Sequence, residues 1–299
     1  MQGAEPAAGV LYLVGTPIGN TGDLSPRARQ VLSGVDRIAC EDTRHSGLLL
    51  HKLGLRSGDN PARLVSFHEH NQTARIPELL AALEQGEAIA VISDAGLPGI
   101  SDPGEALVAA ARAAGRTVIC VPGPCAVTTA LVSSGLPSGR FCFEGFLPPK
   151  ANQRRARLLA LAGEERTIVL FEAPHRLLDL LEDLLAVLGD RPLRVARELT
   201  KRHEEQLGPC VSACLEHVRH TPPLGECTLV LGGAEPGAGP QWDSATLRAE
   251  LNQLTAAGQS RKDAARELAE RTGHSRRELY ALLHEAPLAE ALLHDAAAD

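Results

Sequence analysis

Short apolar or β-branched runs alternate with longer helical patterns through most of this 299-residue chain. In the first half, strands are predicted at Val10–Val14, Arg37–Cys40, Leu64–Phe67, Ala88–Ser93 and Thr117–Val121. In the second half, strands are predicted at Phe141–Phe146, Thr167–Phe171, Arg194–Glu198 and Thr228–Leu231. Strands separated by helices favour parallel pairing, with the helices layered on the sheet. The pattern therefore predicts two α/β domains.

Helical patterns fill the intervals between strands and dominate the C-terminal region. Ser25 and Pro26 fit the N-cap and first position of a helix that runs to about Leu32. Further helices are predicted at Ser46–Leu53, Ile76–Leu83, Glu105–Ala114, Val127–Ser134, Arg176–Leu188, Ser244–Ala257 and Gln259–Leu283. We predict α/β domains over residues 1–122 and 123–233, a linker over 234–242 and a small helical domain over 243–299.

Composition and charge exclude several classes of protein. A mean hydropathy of -0.06, without an apolar run of the ~18 residues that cross a bilayer, argues against a membrane span. The first residues lack the basic start and apolar stretch of a signal peptide, which predicts a cytoplasmic protein. Seven Cys without a C-x-x-C pair argue against a disulfide framework or a structural zinc site. The net charge of -7 disfavours indiscriminate binding to a polyanion, but local basic patches are compatible with it.

Glycine- and proline-rich loops follow three of the predicted strands. Ser93–Gly104 reads SDAGLPGISDPG, which exceeds the roughly two to six residues of an ordinary connection. Gly15–Asn20 and Pro122–Ala126 follow two other strands of the same half. In an open parallel sheet, ligands bind beyond the carboxyl ends of the strands, and glycine lets the backbone approach them closely. The loops therefore predict a ligand cleft, with ordinary turns as the alternative.

Individual residues and absent motifs narrow the chemistry of that cleft. Asp94 and Asp102 are candidates to hold ribose hydroxyls or a cationic group, or to cap turns. Cys125 has no His or Asp partner nearby in the sequence, which favours a packed thiol over a nucleophile. Neither G-x-G-x-x-G nor G-x-x-x-x-G-K-[ST] occurs, so a dinucleotide fold and a P-loop nucleotidase are both disfavoured.

Ionisable residues cluster after two further strands, at Glu41–His45 and at His68–Asn71. Acids, imidazoles and an Arg at strand ends suit substrate positioning and proton transfer. A solvated helix start gives the same pattern, so both interpretations stay open. His68 and His70 have the spacing of a metal-binding pair, but no further set of ligands supports a metal site.

Basic residues form patches despite the acidic total. Lys150, Arg154, Arg155 and Arg157 have no acid among them, which is compatible with phosphate contacts, and a solvated charged face is the alternative. Residues 259–277 hold six Lys or Arg against three Asp or Glu. A helix-turn-helix of a DNA regulator is the non-enzymatic alternative for this second patch, but it leaves the glycine-rich loops unexplained.

Taken together, the motifs resemble a known family. GTPIGN, DLSPRA, EDTRH, HEHN, SDAGLPGISDPG, PGPCA, SSGLP, GFLPPK, EAPHR and RELTKRHEE follow one another between Val10 and Leu231. Their order and spacing resemble the ribosomal RNA small subunit methyltransferase I family, a bacterial family of the tetrapyrrole (corrin/porphyrin) methylase superfamily. SRKDAA and SRRELY in the tail are similar to the small helical domain of that family. Cys125 is a departure, because the family more often has Ser there.

The resemblance implies a fold and an activity. The implied fold has two α/β domains of the tetrapyrrole methylase type, with S-adenosyl-L-methionine in the cleft between them, plus the helical tail. The implied reaction is methyl transfer to the ribose 2'-oxygen of a cytidine in the decoding region of 16S ribosomal RNA. It implies a homodimer acting on the small ribosomal subunit, with no metal, DNA or membrane involved. A methylase acting on a small tetrapyrrole is the alternative, because it would share the cofactor cleft.

The resemblance also implies, by position, which residues form the site. Those expected to bind the cofactor are Pro17, Gly19, Asp94, Ala95, Gly96, Pro98, Ile100, Ser101, Gly123, Pro124, Cys125 and Ala126. Methyl transfer requires the acceptor oxygen to be held in line at about 3 Å and its proton to be removed. We assign this second task to Glu41, Arg44, His68 and Asn71. Arg44 is expected to hold a phosphate or the developing oxyanion, and His68 or Glu41 to take the proton.

Overall fold

The first half of the chain forms a parallel sheet. The structure is a computed structural model that describes residues 6–55, 62–235, 244–272 and 274–283. In these residues, the first sheet consists of β1 (Val10–Val14), β2 (Arg37–Cys40), β3 (Arg63–Ser66), β4 (Ile89–Ile92) and β5 (Thr117–Val121). The strand order is β3-β2-β4-β1-β5 and every pair is parallel, which confirms the predicted pairing in this half. The carboxyl ends of the strands consequently lie at one edge.

Helices cover both faces of this sheet. They are α1 (Pro26–Gly34), α2 (Thr43–Lys52), α3 (Gln72–Glu84) and α4 (Glu105–Ala113). Tyr12 packs with α1 and α2 on one face, and its neighbour Leu11 packs with α3 and α4 on the other. Both side chains are fully buried, because successive residues of a strand point to opposite faces.

Capping residues set where the helices begin. Ser25 Oγ accepts a hydrogen bond from Ala28 N at 3.0 Å, as expected for the start of α1. Helix α2 begins at Thr43, three residues before the prediction, because Asp42 Oδ1 accepts a hydrogen bond from Arg44 N at 2.7 Å. This first turn holds several of the ionisable residues of the EDTRH motif.

The second half forms a mixed sheet rather than a parallel one. Its strands are β6 (Phe141–Phe146), β7 (Thr167–Glu172), β8 (Leu193–Arg197), β9 (Glu205–Leu207) and β10 (Cys227–Leu231), in the order β6-β7-β10-β8-β9. Among the described strand pairs of this second sheet, only β6–β7 is parallel. Strand β9 follows β8 after a short loop, and a short connection can only form an antiparallel hairpin. Strand β9 was not predicted, because three residues are too few to show the alternation of apolar and polar side chains that marks a strand.

Helix α5 (Ala126–Ser133) joins the two halves. It follows the first sheet in the chain but packs against β7 and β10 of the second. Val127 and Leu131 of this helix share an apolar cluster with Val169, Val230 and Ile18, the last from the loop after β1. The two lobes therefore share an apolar cluster beside the loops at the carboxyl edge.

Ion pairs occupy the first of the two predicted basic patches. The remaining helices of this lobe are α6 (Ala151–Ala160), α7 (Leu177–Leu188) and α8 (Val211–His220). Arg154 is buried, and its Nε lies 2.6 Å from Asp183 Oδ2. Arg155 Nε lies 2.6 Å from the other oxygen of Asp183, and Arg157 pairs with Glu144 at 2.6 Å. The phosphate contact predicted for Arg154 is wrong, because its side chain is buried against Asp183. Arg155 and Arg157 remain about half exposed, so phosphate contacts stay a prediction for them.

The C-terminal helices form a small bundle with its own core. They are α9 (Ser244–Ala256), α10 (Arg261–Thr272) and α11 (Arg276–Leu282), so the stretch predicted as helical over Gln259–Leu283 consists of two helices. Ser275 starts α11 through a capping box with Glu278. The predicted linker falls largely on residues 236–243, outside the described residues. The domain boundaries stay predictions. No helix in the described ranges has both the length and the apolar character needed to cross a membrane.

Candidate functional site

Glycine contacts bring the loops at the carboxyl edge together. A Cβ atom added to Gly15 would lie 2.8 Å from Gly123 Cα, so the loops after β1 and β5 touch through bare backbone. Thr16 N donates to Gly96 O at 2.8 Å, and Gly96 N donates back to Thr16 O at 3.2 Å. Thr16 is fully buried, and its Oγ1 donates to Ser93 O at 3.2 Å. The three predicted loops thus form one connected surface.

Strained backbone positions border the cleft between the lobes. Among the described residues, those with positive φ other than glycine are Ser101 (62°), Glu198 (54°) and Thr200 (65°). Thr200 Oγ1 accepts a hydrogen bond from Asn20 N at 3.1 Å, which links the RELTKRHEE loop to the first loop. A Cβ atom at Gly145 would lie 3.3 Å from Ser101 Oγ, which places Ser101 against β6. Such conformations are concentrated at functional sites, because surrounding structure must hold them.

A cavity of about 390 Å³ lies where these loops meet the second sheet. We call it the donor cavity. Loop residues line one side of it: Ile18, Asp94, Ala95, Gly96, Leu97, Ile100, Ser101, Asp102, Cys125 and Ala126. The second lobe lines the other side with Phe146, Phe171, Glu172, Ala173, Pro174, Gly225, Glu226, Cys227 and Thr228. A concave, mostly apolar cavity with a few polar groups is typical of a small-molecule site.

Two residues that line the donor cavity each have a buried carboxylate oxygen without a hydrogen bond to the described part of the chain. The oxygens are Asp94 Oδ1 and Glu172 Oε2. Buried acceptors normally have a donor, because an unsatisfied one loses the hydrogen bond that water would give it. The backbone cradle of the loops, with the carboxylate of Asp94, therefore fits a ligand that carries hydroxyl or amino donors.

The structure places seven of the twelve predicted cofactor-binding residues at the donor cavity. These are Asp94, Ala95, Gly96, Ile100, Ser101, Cys125 and Ala126. The other five, Pro17, Gly19, Pro98, Gly123 and Pro124, are absent from the described lining. Gly123 backs onto Gly15, and a Cβ atom at Gly19 would clash with Lys201 Cγ, so these two glycines pack loop against loop.

A second cavity of about 470 Å³ adjoins the first. We call it the acceptor cavity. Its lining consists of Glu41, Glu69, Gln72, Gly99, Ser101, Asp102, Pro103, Gly104, Glu105 and Ala106. Ser101 and Asp102 line both cavities, so these two residues form the wall between them. Burial raises the pKa of Asp102 to about 6, and the negative charge of Glu41 adds to this effect.

The four predicted catalytic residues occupy different positions relative to this cavity. Glu41 lines it, whereas Arg44, His68 and Asn71 are absent from its described lining. Asn71 Oδ1 accepts from His68 N at 2.9 Å, and Asn71 Nδ2 lies 3.1 Å from His68 Nε2. Asn71 therefore fixes His68 and the turn before α3. Arg44 is exposed in the first turn of α2.

The rings of His68 and His70 pack edge-on against each other, with centroids 6.0 Å apart. Within the described ranges, no group of three or more His, Cys, Asp or Glu side chains is placed to hold a metal ion. The described part of the fold therefore places no further metal ligand beside this pair of histidines.

Sequence reasoning missed Glu172, and it considered Asp102 only as a ligand holder or turn cap. Asp102 lies in the same glycine-rich loop as Asp94, but only the fold shows that it separates two cavities. Glu172 was seen as part of the EAPHR motif before α7. Its position at the last residue of a buried strand was the available signal, because strand ends of this kind face the cleft.

Comparisons with known proteins identify the family. Residues 10–211 match the family Tetrapyrrole (Corrin/Porphyrin) Methylases. A protein of Synechocystis sp. named ribosomal RNA small subunit methyltransferase I is 50% identical over 275 residues, covering 92% of this chain and 97% of that protein. The Escherichia coli O157:H7 protein of the same name is 49% identical over 235 residues, covering 78% and 80%. The chain belongs to the ribosomal RNA small subunit methyltransferase I family.

A solved structure supports the fold expected for the ribosomal RNA small subunit methyltransferase I family. Uroporphyrin-III-C-methyltransferase from Thermus thermophilus aligns with a TM-score of 0.53 and 25% identity, covering 75% of this chain and 94% of that one. The family membership confirms the resemblance that the motifs indicated. It also confirms the α/β fold of the tetrapyrrole methylase type.

Proposed function

We propose that the chain transfers a methyl group from S-adenosyl-L-methionine to the ribose 2'-oxygen of a cytidine in the decoding region of 16S ribosomal RNA. The observation that supports a transfer reaction is the pair of adjoining cavities with Ser101 and Asp102 between them. One cavity fits a small donor, and the other is open to a second substrate. The relatives' names, which specify ribosomal RNA methyltransferases, support RNA as the acceptor of the methyl group.

The donor cavity fits the cofactor in shape and in hydrogen-bonding groups. S-adenosyl-L-methionine supplies, when bound, an electrophilic methyl group on a sulfonium centre. Asp94 Oδ1 is buried without a partner among the described residues, and it would accept from a ribose hydroxyl. The loops at Gly15–Asn20, Asp94–Ser101 and Gly123–Ala126 would hold the ligand mainly through backbone atoms, because glycine and proline there keep side chains out of the way.

Asp102 is the best-placed group to take the proton of the attacking hydroxyl. It borders both cavities, whereas Glu41 borders only the acceptor cavity. A pKa of about 6 leaves the carboxylate ionised at neutral pH and makes it more basic than an ordinary Asp. Glu41 strengthens this basicity by its charge. His68, whose backbone and ring Asn71 contacts, stays a second candidate base.

RNA phosphates would be held outside the acidic acceptor cavity. Arg44 is exposed, lies three positions after Glu41 in the chain and suits the phosphate role expected for it. A third cavity of about 390 Å³ in the helical tail is lined by Lys262, Ala265, Arg266, Arg276, Arg277 and Tyr280. We call it the basic groove. Clustered cations beside a half-exposed Tyr suit contacts with phosphates and bases.

A tetrapyrrole is the alternative substrate, because the chain is similar in structure to uroporphyrin-III-C-methyltransferase. Glu41, Glu69, Asp102 and Glu105 give the acceptor cavity a negative lining that would repel the carboxylates of such a macrocycle. Ribose presents neutral hydroxyls to the same lining. We also expect the enzyme to be cytoplasmic, to act as a homodimer and to need no metal, DNA or membrane.

The test uses the purified full-length protein and labelled S-adenosyl-L-methionine. We expect label in 16S ribosomal RNA of small subunits from cells lacking this protein, at a ribose 2'-oxygen mapped by mass spectrometry. Uroporphyrinogen III serves as the competing acceptor. Label in the tetrapyrrole and none in the RNA would contradict the proposal, as would the lack of any heat of binding with S-adenosylhomocysteine.

A further inference from the structure

A β-bulge turns one aromatic side chain of β6 towards the cleft. In the pairing of β6 with β7, one extra residue, Glu144, is inserted between Phe143 and Phe146. In a regular strand Phe143 and Phe146 would point to opposite faces, because they are three positions apart. The bulge puts both on the face that carries Phe171. The ring centroid of Phe171 lies 5.0 Å from that of Phe143 and 5.6 Å from that of Phe146.

Unlike its two aromatic neighbours, the ring of Phe146 is left uncovered. Phe143 and Phe171 pack against the apolar cluster of α5, whereas Phe146 lines the donor cavity and is 54% exposed. Single exposed apolar side chains are common on protein surfaces. This one is directed to its position by a bulge, and bulges that re-aim a side chain are frequent beside active sites. The exposed ring therefore fits a ligand with a flat apolar face.

The enclosed part of the donor cavity is lined by other apolar residues. Ile18, Leu97 and Ile100 line it as well, but they are buried or half-buried. The exposure of Phe146 puts this residue at the rim of the cavity. A ligand that reaches the cleft from outside therefore meets Phe146, whereas a small molecule enclosed by the loops is covered by the other three.

Phe146 lies next to the wall between the two cavities. The preceding residue, Gly145, has a left-handed φ of 63°, and a Cβ atom there would lie 3.3 Å from Ser101 Oγ. Ser101 and Asp102 form the wall. Under the proposed function the methyl group passes from donor to acceptor at this wall. Phe146 therefore lies one residue from the contact with it.

A nucleotide substrate needs an aromatic surface close to this point. The 2'-oxygen is bonded to the ribose carbon next to the one that carries the base, so the base lies near the reacting atom. A base drawn out of its strand loses the stacking of its neighbours, and an aromatic side chain replaces that stacking. The described lining of the acceptor cavity contains no aromatic residue. In the described lining of the donor cavity, the exposed aromatic residue is Phe146.

We propose that the ring of Phe146 stacks on the base of the nucleotide whose ribose is methylated, and so holds the 2'-oxygen at the wall formed by Ser101 and Asp102. The inference rests on the proposed function, because it takes the methyl acceptor to be RNA. Phe146 is then a substrate-binding residue that takes no part in proton or methyl transfer. The rival occupants of the exposed ring are the adenine of the cofactor and a second copy of the chain.

Steady-state kinetics of the full-length protein test the assignment, with small subunits from cells lacking this protein as the acceptor. Phe146→Ala is expected to raise the KM for the subunits by about 5- to 100-fold, because it removes the stacking between base and ring. Phe146→Tyr keeps a flat ring and should restore the KM to within about twofold of the wild type, whereas the apolar but non-aromatic Phe146→Leu should not. The calorimetric Kd of S-adenosylhomocysteine should be unchanged in all three variants.

Phe141→Ala is the matched control. Phe141 is the first residue of the same strand and is 38% exposed, but it is absent from the described lining of both cavities. Its loss should leave the KM for the subunits unchanged. Thermal unfolding shows whether each variant keeps the fold, and light scattering shows whether it keeps the oligomeric mass of the wild type. If Phe146→Ala does not fold, the comparison of Phe146→Leu with Phe146→Tyr carries the test.

Several results would overturn the assignment to Phe146. A folded Phe146→Ala protein with the wild-type KM for the subunits is one, and equal KM values for Phe146→Leu and Phe146→Tyr are another. Weaker binding of S-adenosylhomocysteine would assign the ring to the cofactor's adenine, and a changed oligomeric mass would assign it to a second copy of the chain. These outcomes leave the proposed function in place. If the wild type transfers no label to ribosomal RNA, the proposed function itself is wrong.

Discussion

Gly15 and Gly123 back onto each other so closely that a Cβ atom on either one would lie within 3 Å of the other's Cα. This contact joins the loops after β1 and β5, which contribute Ile18 and Cys125 to the lining of the donor cavity. We predict that Gly123→Ala lowers the free energy of unfolding by about 1–3 kcal/mol through overpacking. It should also weaken S-adenosylhomocysteine binding. Urea unfolding and calorimetry measure the two effects.

Gly163→Ala is the control for that substitution, because no atom lies within 4 Å of the added methyl group. It should leave ligand binding unchanged. Equal binding by the Gly123→Ala and Gly163→Ala proteins would show that the loop contact is not needed for the cavity.

Substitution of Asp102 should abolish the proposed proton transfer. With a pKa of about 6, Asp102 is mostly ionised above that pH, so the wild-type kcat/KM should rise between about pH 5 and 7. Asp102→Asn should lower kcat by about 10²-fold or more and remove this rise. Single-turnover rates across pH provide the measurement. A variant with wild-type kcat would remove Asp102 from the mechanism and return the role to Glu41 or His68.

Asp102→Asn should lower activity but raise the stability of the folded protein at neutral pH. The folded protein holds the Asp102 proton up to about pH 6, against 3.8 for an ordinary Asp. Between these values the folded state binds more protons than the unfolded state, so stability falls as the pH rises. Asp102→Asn removes this penalty and should be more stable than the wild type by about 1 kcal/mol above pH 6, but not below pH 4. Thermal unfolding at pH 4 and pH 7.5 tests the sign.

Cys125 occupies a capping position without serving as a cap. It is the N-cap residue of α5, with φ -148° and ψ 117°, and its side chain accepts no hydrogen bond from the helix. Cys125→Ser should therefore raise the free energy of unfolding by about 0.5–1 kcal/mol, because a hydroxyl oxygen can accept from a backbone N–H of the first turn. Chemical denaturation measures this. Cys120→Ser, at an exposed position of β5, should show no gain.

The basic groove should contribute to RNA affinity independently of the donor cavity. Lys262 and Arg277 are exposed lining residues of this groove. Replacing both with Ala should weaken binding to 16S ribosomal RNA and reduce the slope of log affinity against log salt by about 1 for each phosphate that is no longer neutralised. Arg219→Ala, which removes an exposed charge on α8, is the control. Calorimetric binding of S-adenosylhomocysteine should be unchanged in the double variant.

Local rules predicted much of the fold but little of the site's electrostatics. Ser25 before Pro26 fixed a helix start, and the glycine-rich loops at strand ends marked the donor cavity correctly in location. Arg154 was misread as a phosphate-binding residue, because Asp183 lies 29 positions away and only the packing of α6 on α7 brings them together. The environments of Glu172 and Asp102 likewise depend on how the folded chain buries them. No period or motif encodes which carboxylate oxygen lacks a donor.

The wall formed by Ser101 and Asp102 has a thermodynamic consequence. A ligand in either cavity forms part of the boundary of the other cavity. The two ligands therefore cannot bind independently if they meet across this wall. If the nucleotide substrate changes the affinity for the methyl donor by some factor, the methyl donor changes the affinity for the nucleotide by the same factor, because binding linkage is reciprocal. Exchange of the demethylated product for fresh donor is then coupled to release of the modified strand.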